Sequence, residues 1–174
     1  MNSNSQNLLP NRSPWLIVFY LLLMATFAVW FGGFTLYVSI VVPIGTEILG
    51  SARAQGEITQ QVTHWINLVC SLAIFLMLLE HWVGRRFGSR AKWISLAIVI
   101  VLMLSQLGLF WLHDALDELI EPAKRGIRVI DRDAFYLRHR IYLWLSTLQW
   151  ICGWVWLGIF VVQMLPSSSR DLQR

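Results

Sequence analysis

At residues 93–112 the chain reads WISLAIVIVLMLSQLGLFWL, twenty residues without one charge. Lys92 stands before the run and His113-Asp114 after it. A helix needs about 20 apolar residues to cross the hydrocarbon of a bilayer, where nothing solvates a charge or satisfies a loose backbone group. The stretch is therefore read as a membrane-spanning helix. Working outward, three more apolar runs meet the same test, at about residues 15–43, 65–83 and 141–165. The expected fold is all-α, a polytopic four-helix transmembrane bundle. A polar, disordered N-terminus is expected over residues 1–14, and a polar tail over 166–174.

Composition agrees with the reading. Of 174 residues, 56% are hydrophobic and only 14% charged, against about a quarter charged in a soluble domain. Mean hydropathy is +0.57. The net charge of +4 and pI of 9.5 belong to basic residues flanking spans, which meet anionic headgroups. No interleaved basic and aromatic segment supports nucleic-acid binding. Cys70 and Cys152 lie inside apolar runs and lack zinc-ligand spacing, so both are expected as packing residues. The first apolar run is too long for a signal-peptide core and is read as a retained helix.

Six tryptophans, Trp15, Trp65, Trp82, Trp93, Trp111 and Trp144, fall near the expected span ends, where indole rings favour the membrane interface. Trp150, Trp154 and Trp156 lie inside the fourth span and need packing or a ligand to explain them. Residues 84–92 carry Arg85, Arg86, Arg90 and Lys92 without an acid. So dense a positive loop is expected in the cytoplasm, which puts both termini there, in a bacterial inner membrane. The longer loop, residues 113–140, carries six acids and six bases and opposes that assignment on raw counts. It is read as a lid or docking surface, with Asp131 or Asp133 capping a last helix that starts near residue 133. Pro43 and Gly45 are expected to end the first helix, and a loop is expected over residues 44–56.

Polar residues within the spans concentrate toward the side away from that short basic loop. They are Thr35 and Ser39; His64, Asn67 and Ser71; Gln106 and His113; and His139, Tyr142, Ser146 and Gln149. Their spacings keep each set on one helix face. Polar side chains in a span face the bundle and find partners there. Asn67, Ser71, Gln106, Tyr142, Ser146 and Gln149 thus form either interhelical hydrogen bonds or a polar cavity. His64, His113 and His139, at one level on three helices, are candidate ligands for haem. His113, Asp117 and His139 are candidates for a divalent metal. The ordinary alternative is interfacial histidines bonded to headgroups or loop carbonyls. Glu80-His81 at the opposite end is read as a surface ion pair beside Arg85 and Arg86. The chain has no P-loop, nucleophile elbow, His-Glu-x-x-His or Cys-x-x-Cys motif.

Gly32, Gly33, Phe34, Thr35, Leu36 and Tyr37 run on to Val42 and Pro43, and the last helix opens FYLRHRIY at residues 135–142. In these features the chain resembles the uncharacterised four-helix membrane family that includes transmembrane protein 205. The resemblance covers most of the chain and implies four membrane helices, with no established chemistry to carry over. The architecture is also similar to the copper-resistance D membrane domain and the haem-binding membrane protoporphyrinogen oxidase. Those groups place a histidine before a Trp-x-Gly-Gly-like stretch. Here Trp30-Phe31-Gly32-Gly33 has none ahead of it on the first helix.

The expected role is a non-enzymatic membrane protein whose polar and histidine cluster binds a small ligand or metal, or docks a membrane-protein partner or a second copy. Two alternatives stand beside it. One is a haem- or quinone-linked redox subunit. The other is a structural or assembly subunit using Gly32, Gly33 and the long loop as contacts.

Overall fold

The structure, a computed structural model, describes residues 14–83, 89–123 and 126–164. Expectations for residues 1–13, for Arg85, Arg86, Lys124 and Arg125, and for the tail from 165 onward fall outside the described residues. In chain order the elements are α1 (Pro14–Leu36), a π-helical turn (Tyr37–Val41), α2 (Val42–Leu49), α3 (Ala52–Val83), α4 (Ser89–Asp117), β1 (Ile120–Ala123), β2 (Gly126–Val129) and α5 (Arg132–Met164). With α1, the π turn and α2 counted as one helix, four helices are long and apolar enough to cross a membrane. The chain is a four-helix transmembrane bundle.

The distribution of side chains supports this physically. Large apolar residues such as Leu21, Val29, Phe75, Leu104, Leu107 and Val162 face outward, while Asn67, Ser105, Gln106, Ser146 and Gln149 are buried. Water would reject such a surface, whereas lipid accepts it and drives polar groups inward. All six tryptophans expected at the interface do point outward, from 55% exposed at Trp15 to 81% at Trp82. Trp15, Trp82 and Trp93 stand at one end of the bundle, and Trp65, Trp111 and Trp144 at the end that carries the β-hairpin. Trp65 to Trp82 spans 17 residues of α3, and Trp93 to Trp111 spans 18 of α4. At 1.5 Å per residue these are about 26 and 27 Å, close to the thickness of the hydrocarbon core.

The expected loop over residues 44–56 is absent. The helix passes through Pro43, because the preceding turn is wider: the Val42 N–H bonds back to the Tyr37 carbonyl, five residues earlier. In a regular helix the proline ring would clash with the carbonyl four residues before it, and the extra residue relieves that crowding. The Thr35 and Ser39 hydroxyls donate to the Phe31 and Thr35 carbonyls and satisfy acceptors beside the turn. Tyr37 donates to Thr59 Oγ1 at 2.9 Å and ties the turn to α3. The reversal into α3 needs only Gly50-Ser51. Gly50 adopts φ +58°, which a side chain disfavours, and Ser51 Oγ accepts from the Ala54 N–H to open α3.

α4 continues to Asp117, a turn beyond the apolar run. The long loop is an antiparallel hairpin with Ile120 paired to Val129, and its second strand packs on α3. Asp131 caps α5, its Oδ1 accepting from the Asp133 and Ala134 N–H groups. The backbones of α1 and α3, α3 and α4, and α4 and α5 approach closely. The fourth seam, between α1 and α5, is bridged by aromatic side chains instead. Phe27 stacks on Phe31 and tilts onto Trp156, and Phe31 sits between Trp150 and Trp154. Gly153 makes room for it: a Cβ there would lie 2.8 Å from the Phe31 ring. Gly32 and Gly33, by contrast, have nothing within 4 Å of a Cβ built on them, so within the described chain they mediate no helix contact.

Candidate functional site

The polar residues of α3, α4 and α5 converge toward the hairpin end. Gln149 Nε2 donates to Gln106 Oε1 at 2.9 Å and to the Leu102 carbonyl at 3.5 Å. Gln106 Nε2 donates to the Asn67 carbonyl at 3.0 Å, which also accepts the Ser71 hydroxyl at 2.9 Å. Asn67 Nδ2 donates to the Tyr142 hydroxyl oxygen at 3.1 Å. Ser146 Oγ donates to the Tyr142 carbonyl, and the Cys70 thiol points at Gln149 Oε1 at 3.8 Å. These side chains lace three helices together, and a cavity lies beside them.

That cavity is lined by Asn67, Thr63, Tyr142, Ser146 and Gln149 on its polar side and by Trp30, Phe31, Phe34, Ile66, Leu109 and Trp150 on its apolar side. Its free volume is about 10 Å³, room for about one water molecule. No charged side chain is among these residues. Asn67 is 4% exposed, and among the described residues its amide has the Tyr142 hydroxyl as its one side-chain partner. Asn67 and Tyr142 both lie in the cavity's lining. On the lipid side the cavity is closed by the Phe31–Trp150 stack, centroids 6.1 Å apart and planes 7° from parallel. Trp150 Nε1 donates to Thr35 Oγ1 at 3.1 Å across the same seam.

The histidines stand apart from this cavity. His64 and His113 face each other with ring centroids 5.9 Å apart. The Nε2 of His113 bonds the Gln60 carbonyl at 3.3 Å, and its Nδ1 lies 3.3 Å from Asp117 Oδ2. Gln60 Nε2 donates to Asp117 Oδ1 at 2.9 Å, which closes a clamp between α3 and α4. Both His113 ring nitrogens thus have partners within the protein. His139 stacks on Phe135, one turn before it, at 5.8 Å. Among the described residues no group of three or more histidine, cysteine and carboxylate side chains is placed to hold a metal ion.

At the other end, Glu80 is not the surface residue the sequence led us to expect. It is 1% exposed, with the Tyr20 hydroxyl donating to its Oε1 at 3.3 Å. Three further contributors escaped the sequence reading. Gln60 and Thr63 lie ahead of the second span expected from residue 65, and Ser105 turns its hydroxyl back to the Val101 and Leu102 carbonyls. The ring walls had a signal in the three unexplained tryptophans: Trp156 proves to be core, while Trp150 and Trp154 hold Phe31 over Gly153. Compared with known proteins, the chain matches no family model, no curated protein and no solved structure.

Proposed function

We propose that this multi-pass membrane protein is a non-enzymatic binding protein, and that its ligand is a small uncharged molecule held beside Asn67 and Tyr142. One observation carries the reading: a cavity within the spans whose floor is neutral and hydrogen-bonding and whose walls are aromatic. Such a lining selects by hydrogen bonds and shape rather than by charge. His64, His113 and His139 are not among the lining residues, so the reading rests on the amide and hydroxyl groups of the cavity. The setting we propose is a bacterial inner membrane with both termini in the cytoplasm and the hairpin outside. Kinship with the family that includes transmembrane protein 205 is part of the same proposal.

The test is thermal unfolding of the detergent-purified protein with a panel of alcohols and amides of two to six carbons. A ligand at a hundredfold its dissociation constant adds about 2.7 kcal/mol to the folded state, which appears as a rise of several degrees. The rise is expected in the wild type and lost in Asn67→Leu. A panel that leaves the wild type unmoved, or moves both proteins equally, defeats the proposal.

A further inference from the structure

The cavity has room for about one water molecule, so only a group of that size fits without movement of its walls. A single hydroxyl meets the requirement and matches the polar floor. Any carbon attached to it must leave through a wall. Toward α3, α4 and the polar lacing, the walls are helices in close backbone contact. The seam between α1 and α5 is different. Its backbones stand apart, its filling is side chains, and the ring that fills it rests on a residue without a side chain, Gly153. Phe31 and Trp150 are the closing pair, and the Trp150–Thr35 bond fastens them at the exposed face of the bundle, where lipid lies outside. Asn67 lies two residues inward from Trp65, and Gln106 five inward from Trp111. At 1.5 Å per residue these are depths of about 3 and 8 Å below the tryptophan belt. That is where the hydroxyl of a membrane-dissolved amphiphile resides, with its chain running toward the bilayer centre.

We propose that the ligand is a neutral single-chain alcohol taken from the bilayer, and that the α1/α5 seam is its door. The hydroxyl occupies the space beside Asn67 and Tyr142. The chain lies between Phe31, Phe34 and Trp150 and emerges among lipid tails. Entry requires the Phe31 and Trp150 rings to part and the bond to Thr35 to break. The proposal rests on the binding reading above and adds the substrate class and the route.

The experiment uses hexadecanol carrying a photoreactive diazirine at mid-chain, dissolved in phosphatidylcholine vesicles that hold the full chain. After irradiation the labelled residues are mapped by mass spectrometry. Label is expected to saturate on Phe31, Phe34 and Trp150, to be displaced by unlabelled hexadecanol, and to resist ethanol at equal concentration. Asn67→Leu should abolish saturation. Thr35→Val, which removes the fastening at the lipid face together with the hydroxyl's bond to the Phe31 carbonyl, should speed labelling by about three- to tenfold. Label confined to the outward tryptophans and never saturating overturns the door and the ligand class. Displacement by ethanol as effective as by hexadecanol overturns the door alone, because the cavity then fills from water and the binding reading stands. If the small alcohols also fail to stabilise the purified protein, both readings fall.

Discussion

Asn67 and Gly153 do opposite things at neighbouring places. Asn67 brings a polar amide into the bundle, and Tyr142 and Gln106 on two other helices meet its side chain and carbonyl. Gly153 removes a side chain so that Phe31 can enter the fourth seam. Adding one methyl there forces a ring that already touches Trp150 and Trp154 to move. Gly153→Ala is therefore expected to destabilise the protein by about 1–3 kcal/mol, the usual cost of overfilling a packed site. Unfolding in mixed micelles measures it. A Phe31→Leu partner change should recover part of the loss if the clash is the cause, and an additive double mutant would refute that cause. At this scale the polar residues were legible because a polar side chain in an apolar run always demands an explanation. Gly153 was not, since a glycine in a helix announces neither neighbour nor strain.

The elements differ in how openly the residues declare them. Asp131 or Asp133 was expected as a cap for the last helix because an aspartate ahead of a long helical run satisfies free N–H groups, and Asp131 is the one that does so. Asp131→Ala should cost about 1 kcal/mol and expose the first turn of α5. Faster amide exchange over residues 133–137, with the rest of α5 unchanged, is the expected result. Unchanged exchange there would show that tertiary contacts, not the cap, hold the turn. The first helix was misread for a physical reason. Proline normally stops a helix, but one extra residue in the turn before it lets the chain pass, and that register change leaves no local signature in YVSIV. The true stop, Gly50 followed by Ser51, is an ordinary glycine end and serine start that the proline overshadowed.

For the whole molecule, two belts of three tryptophans bound a layer about 26–27 Å thick. Helices of 28 to 36 residues outrun it, so the π turn, α2, the first turns of α3 and the hairpin form a cap beyond the belt at one end. Under the orientation proposed above, that cap faces away from the cytoplasm. A fluorescent protein that matures only in the cytoplasm, fused to either terminus, should glow. A single cysteine introduced at exposed Glu121 should react with a membrane-impermeant maleimide added to intact cells. Dark fusions and a protected cysteine would reverse the orientation.

Residue order alone determined that the chain is four membrane helices, because the bilayer imposes one length and one polarity on any segment that crosses it. It also marked Asn67, Gln106, Ser146 and Gln149 as polar and inward, whereas Thr35, Ser39 and His64, expected to face the bundle as well, are exposed. It did not determine how those residues would divide. The structure sends the amides of Asn67, Gln106 and Gln149 into the bundle centre and binds His113, beyond the tryptophan belt, into a clamp with Gln60 and Asp117. That division depends on helix rotation, on the register shift at the π turn and on one glycine under one ring. Each is set by contacts between residues far apart in sequence, and only the packed tertiary structure decides them.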